Sequence, residues 1–137
     1  MRPSLLLSAL PALIGLAAGC GTTRPDSESG PDHTSAYYIR VESSVPDVTI
    51  ETNDVAAGKT PLTLKVFGDS PGTFHNFGSS QYSLRAVPLS TNQFAQARSF
   101  RTGKGSHRGE RIPGLIFFDM SQPSGGVLID SIPDRNP

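Results

Sequence analysis

The chain has 137 residues, a single cysteine, no tryptophan, and 12 basic against 12 acidic side chains, for a formal net charge of zero at pH 7. That balance argues against nucleic acid as a partner, which calls for clustered positive charge, and a lone cysteine excludes an intrachain disulfide framework. The 14 glycines and 12 prolines predict many turns and little helix.

Arg2 supplies a short positive start, and Leu5 to Ala18 is apolar apart from Ser8, Pro11 and Gly15. This run is shorter than the roughly 20 apolar residues of a transmembrane helix. It closes on small residues, as a signal peptide does. Its end, Leu16-Ala17-Ala18-Gly19-Cys20, resembles the lipobox of bacterial lipoproteins. The resemblance implies a helical signal peptide over residues 1–19, cleavage before Cys20, and covalent lipid (palmitate among its chains) on that cysteine. Gly21 stands where Asp tends to retain such proteins in the inner membrane, so the resemblance places this one in the outer membrane. The alternative is an ordinary signal peptide cut at the same small residues, leaving a stray thiol.

Residues 20–36 follow as a lipidated cysteine and linker. After Cys20 they hold no aliphatic side chain larger than Ala. Such a segment buries too little apolar surface to offset its ordering entropy, and it reads as a disordered leash. A coil of that length spans roughly 20–24 Å.

Order is expected from Tyr37. Tyr37, Ile39 and Val41 alternate with Tyr38, Arg40 and Glu42, the period of a half-buried strand. Pro46 ends that stretch, since it lacks a donor and restricts Val45. A second strand is predicted over Val48–Thr52 and a third over Leu62–Val66, with a turn opened by Asn53 and Asp54 and closed by Gly58 between them. These three segments suggest a meander or hairpin pair. Residues 68–79 form a longer connection, followed by strands over Gln81–Val87 and about Gln93–Arg101. Leu115–Phe118 is apolar on both faces, as in a central or covered strand. Residues 121–137 read as a flexible tail in which Val127-Leu128-Ile129 either adds an edge strand or frays. The predicted fold is all-β, a small antiparallel β-sandwich over residues 37–120.

Val41-Glu42-Ser43-Ser44-Val45-Pro46-Asp47-Val48-Thr49-Ile50, followed by Gly58-Lys59-Thr60-Pro61-Leu62, resembles the motif of PEGA domains. The second half is intact; the eponymous turn is reduced to Pro46 and Asp47. The resemblance covers about residues 38–100 and implies a transthyretin-like sandwich on a bacterial surface, without catalytic residues. Residues 101–120 resemble an extension seen in small lipoproteins that carry this domain. Locally, Gly58 permits positive φ at a turn, and Pro61 holds Thr60 extended at a strand entrance.

Gly58-Lys59-Thr60 is not a phosphate loop, because Asn53 stands where the Walker glycine belongs and a strand, not a helix, follows. His33, His75 and His107 lack the short spacing of metal ligands, so no metal or other cofactor is expected. No serine lies in a Gly-x-Ser-x-Gly elbow, so no catalytic residues are assigned. The candidate recognition loop is Gly72-Thr73-Phe74-His75-Asn76-Phe77-Gly78, with Phe74-His75-Asn76-Phe77 as its binding residues. Its aromatics either stack on a ligand or fold back as a lid on the sandwich, the reading favoured by the aggregation hazard of exposed aromatic pairs. Arg101, Lys104, His107, Arg108 and Arg111 form a basic loop for which solvated charge is the default. These readings converge on a non-catalytic binding or scaffolding lipoprotein of the bacterial envelope. The lipid anchor would provide membrane attachment, and the partner would be either carbohydrate such as peptidoglycan or another envelope protein.

Overall fold

The computed structural model describes residues 28–130; the leader, Cys20 and residues 131–137 lie outside the described residues. Among the described residues, nine strands form two sheets: β1 (Ser35–Ser43), β2 (Thr49–Thr52), β3 (Val55–Lys59), β4 (Leu62–Asp69), β5 (Thr73–Phe74), β6 (Gln81–Val87), β7 (Gln96–Arg101), β8 (Leu115–Phe118) and β9 (Val127–Asp130). One sheet has the order β5-β4-β1-β8-β9, the other β3-β2-β6-β7. The fold is an all-β sandwich.

Alternation explains the layering. Ile39 and Val41 of β1, Leu64 and Val66 of β4, and Ile116 and Phe118 of β8 point inward from the first sheet. Ile50, Leu84, Ala86 and Phe100 answer them from the second, and Val48, Phe74, Ile112 and Met120 complete the core. Strands β1, β4, β6 and β8 hide one face and offer the other outward, the pattern of packed sheets about 10 Å apart, whereas the edge strands β3 and β9 bury no residue.

Five expectations are corrected. β1 and β2 do not pair in a meander: β1 pairs with β4, and β2 pairs with β3 and β6. The turn at Pro46 and Asp47 carries the chain from one sheet to the other, because both strands have an apolar stripe and bury it against each other. The sandwich is also not wholly antiparallel, since β8 runs parallel to β1. Residues 44–114, the whole of the other sheet included, lie between these two strands and supply the long connection that a parallel pair requires.

The presumed leash is structured from Glu28 onward. The Gly30 amide donates to the Thr34 carbonyl (2.8 Å), the Ala36 amide donates to the Glu28 carbonyl (2.8 Å), and Ser29 bridges to Ser35. Thr34 and Ala36 are buried, and Gly30 sits under the Phe67 ring. Backbone pairing and a seat on β4, rather than large side chains, order this segment. At the other end, Val127–Asp130 pairs along the whole of β8, so residues 121–130 belong to the domain and not to a tail. The fifth predicted strand is shorter than its apolar limits: it starts at Gln96, and Phe94 is exposed in the preceding turn.

The Gly58–Pro61 stretch is the corner where β3 hands over to β4. Thr60 is buried there, and the Thr60–Pro61 bond is cis. Its Oγ1 accepts the Val48 amide at 3.1 Å and meets the Ser43 hydroxyl, which in turn donates to the Val45 carbonyl. The Thr60 amide and carbonyl pair with Val48 and Asp47. Gly58 has φ +153°. Lys59 and Pro46 are exposed.

Candidate functional site

The site lies where β4 ends and β5 begins. Asp69 closes β4, Gly72 turns the chain back at φ +110°, a value L side chains rarely adopt, and its amide donates to the Asp69 carbonyl at 2.6 Å. Phe74 then enters the core. It is 1 % exposed, with its ring stacked between Tyr82 (centroids 5.0 Å) and Phe100 (4.8 Å). Burial pushes the Tyr82 phenol above its ordinary pKa, opposed by a hydrogen bond with Thr52. The Arg98 guanidinium lies over the Phe100 ring, 5.0 Å from its centroid, and pairs with Glu110 at 3.1 Å.

Phe74 is therefore no part of a recognition surface, and the loop divides in function at that residue. His75 points outward. Its Nδ1 lies 2.8 Å from Asp69 Oδ1, its Nε2 3.7 Å from Asp32 Oδ2, and its ring packs on Phe77 at 4.5 Å. Asp69 thereby fixes the orientation of the ring. Phe77 is half exposed, at 51 %. Asn76 accepts the Gly78 amide at 2.7 Å, which closes the loop.

The basic loop folds onto this same segment. The Gly103 amide donates to the Phe74 carbonyl (2.8 Å), the Asn76 amide donates to the Gly103 carbonyl (3.1 Å), and the Phe74 amide donates to the Glu110 carbonyl (3.0 Å). Lys104 and His107 exchange backbone hydrogen bonds across a tight turn. The close approach depends on Gly109, where a Cβ would stand 2.2 Å from the Phe74 carbonyl oxygen. The two loops enclose a cleft of about 400 Å³, lined on one side by Asp69, Ser70, Thr73, His75 and Asn76 and on the other by residues 103–105, His107 and Arg108.

Two candidates that the sequence presents separately, the aromatic loop and the basic loop, are thus the two walls of one cleft. His75, Asn76, Lys104, His107 and Arg108 line it, whereas Phe74, Arg101 and Arg111 do not. Thr73, inside the candidate loop, lines the cleft as well; sequence reasoning missed Asp69, Ser70 and Asp32. The only sequence signal for them is an acid six positions before His75, at the end of an alternating strand. Among the described residues, no group of three or more His, Cys, Asp and Glu side chains is arranged to hold a metal. His75 hydrogen-bonds to Asp69, and neither Ser70 nor Thr73 hydrogen-bonds to its ring.

A scan against protein-family models, a search of curated proteins and a search of solved structures each found no match for this chain.

Proposed function

We propose that this protein is a lipid-anchored, non-catalytic binding module of the bacterial cell envelope, and that the cleft between residues 69–76 and 103–108 is its ligand site. The cleft carries this reading. It is concave, polar on both walls, flanked by the exposed Phe77 ring, and held by backbone hydrogen bonds that leave its side chains outward. Pockets with a few convergent polar groups are the usual form of a binding site, and an aromatic beside them suits the flat face of a sugar or peptide side chain. Carbohydrate, peptidoglycan included, is the ligand class that fits best. The motif resemblance to PEGA domains supports a surface module.

The anchoring half of the proposal rests on Leu16 to Cys20. Replacing Cys20 with Ser should leave a larger, unacylated precursor, and normal processing of that variant would sink the idea. The binding half is tested by co-sedimentation of the full chain, in neutral detergent, with purified sacculi. Pelleting that weakens in Phe77→Ala supports it; no pelleting of the wild-type chain refutes it.

A second reading has its own observation. Strand β3 is an edge strand whose Val55, Ala56 and Ala57 are all exposed, with no charge before Lys59 to discourage pairing. An accessory subunit would add a partner strand there. A stable co-purifying protein lost in Ala57→Pro would favour this reading.

A further inference from the structure

The proposed cleft is lopsided in charge. Lys104 and Arg108 stand on one wall with no ion pair to any described carboxylate, and His107 stands beside them. The one acid lining the cleft, Asp69, is on the opposite wall and is already hydrogen-bonded to His75. Elsewhere among the described residues, Arg40, Lys65, Arg85 and Arg98 each have a carboxylate partner, while Lys59, Arg101 and Arg111 have no ion pair but do not line the cleft. Two cations left uncompensated on the same side of a cleft are an anion site in search of its anion.

The rest of the cleft requires more than a bare ion. Its volume of about 400 Å³ would hold on the order of a dozen waters, several times what an inorganic anion displaces. Ser70, Thr73 and Asn76 offer hydroxyl and amide groups across from the cations, the complement of a polyhydroxylated ring. The Phe77 ring, tilted 54° against His75, gives that wall an aromatic flank.

Resting on the glycan-binding reading above, we infer that the cleft selects an acidic sugar, with Lys104 and Arg108 holding its carboxylate and the Ser70–Asn76 wall holding its ring. Charge-assisted hydrogen bonds to two cations make the acid the preferred ligand over its neutral counterpart.

The test titrates the full chain, in neutral detergent, with N-acetylmuramic acid and N-acetylglucosamine, which differ by a carboxylate-bearing ether. Amide chemical shifts of Gly103, Lys104 and Gly105 report binding. The acid should bind at least about tenfold more tightly than the neutral sugar, and the double variant K104Q/R108Q should erase that difference while still binding both weakly. Equal binding of the two sugars overturns the inference, as does inorganic phosphate binding as tightly as the sugar acid. Pelleting of the wild-type chain with sacculi alongside equal binding of the two sugars overturns the inference but leaves the binding module standing. A wild-type chain that fails to pellet overturns the reading beneath it.

Discussion

The side-chain oxygen of Thr60 accepts the backbone amide of Val48 at 3.1 Å, tying the turn after β1 to the corner where β3 meets β4. The contact is buried, and it stitches the two sheets at the point where the chain crosses between them. Thr60→Val should therefore leave the Val48 amide buried and unpaired, at a cost of about 1–3 kcal/mol. Thr60→Ser keeps the hydroxyl and should recover most of that loss. Urea denaturation of the two variants side by side checks it.

Phe74 and Phe77 are separated by two residues and by entirely different surroundings. Phe74→Ala removes a ring stacked between Tyr82 and Phe100 and should cost about 3–5 kcal/mol. Phe77→Ala trims a half-exposed ring and should change stability by no more than about 0.5 kcal/mol. Loss of binding is therefore interpretable in the second variant and confounded in the first. Thermal melts of both, run before any binding assay, establish the contrast.

Gly109 holds the two walls of the cleft together by taking up no space. Gly109→Ala would press a methyl group against the Phe74 carbonyl and the Gly103 amide, backbone atoms that cannot swing aside. A destabilisation of about 1–3 kcal/mol is expected, with the largest amide shifts in residues 103–109. A variant with unchanged melting and unchanged spectra would show that the walls are not coupled here.

Asp119 gives the fold a mild acid dependence. Hydrogen bonds from the Ser121 hydroxyl (2.6 Å) and amide (3.0 Å) hold its carboxyl below the ordinary value of 3.8, against a small opposing effect of burial. A depressed folded-state pKa stabilises the fold above the unfolded value, and that contribution fades as pH falls through the folded one. Asp119→Asn should thus lower the urea midpoint at pH 7 and matter less at pH 2.5. An equal loss at both values would rule out this linkage.

The legible parts of the sequence were those with contrast between faces. Ile39 and Val41, Leu64 and Val66, and Leu84 and Ala86 alternate with polar neighbours, and their strands are found where the period of two puts them. Strand β3 gave no such signal. Val55, Ala56 and Ala57 are small and exposed on an edge, and its order comes from pairing with β2. The segment before Ser35 was illegible for a related reason: backbone hydrogen bonds order it, and these leave no trace in side-chain hydropathy. The cleft needed tertiary information. His75 and Gly103 form a bridge across 28 positions of chain, and no local pattern announces that Lys104 will face Asp69.

If Cys20 is acylated as proposed, the pairing of Glu28 with Ala36 also sets how far the domain travels. Residues 21–27 lie between Cys20 and Glu28, the first described residue to pair, and that length of chain spans at most roughly 25–30 Å. On an acylated chain the cleft is leashed at its own end of the molecule, because the same folded segment brings Asp32 to His75. Such a domain explores a thin shell along the membrane, and its search for ligand is close to two-dimensional. Within that shell its effective concentration is high, so a weak affinity per site suffices for occupancy. Beyond the shell the domain cannot reach any ligand, however tightly it would bind.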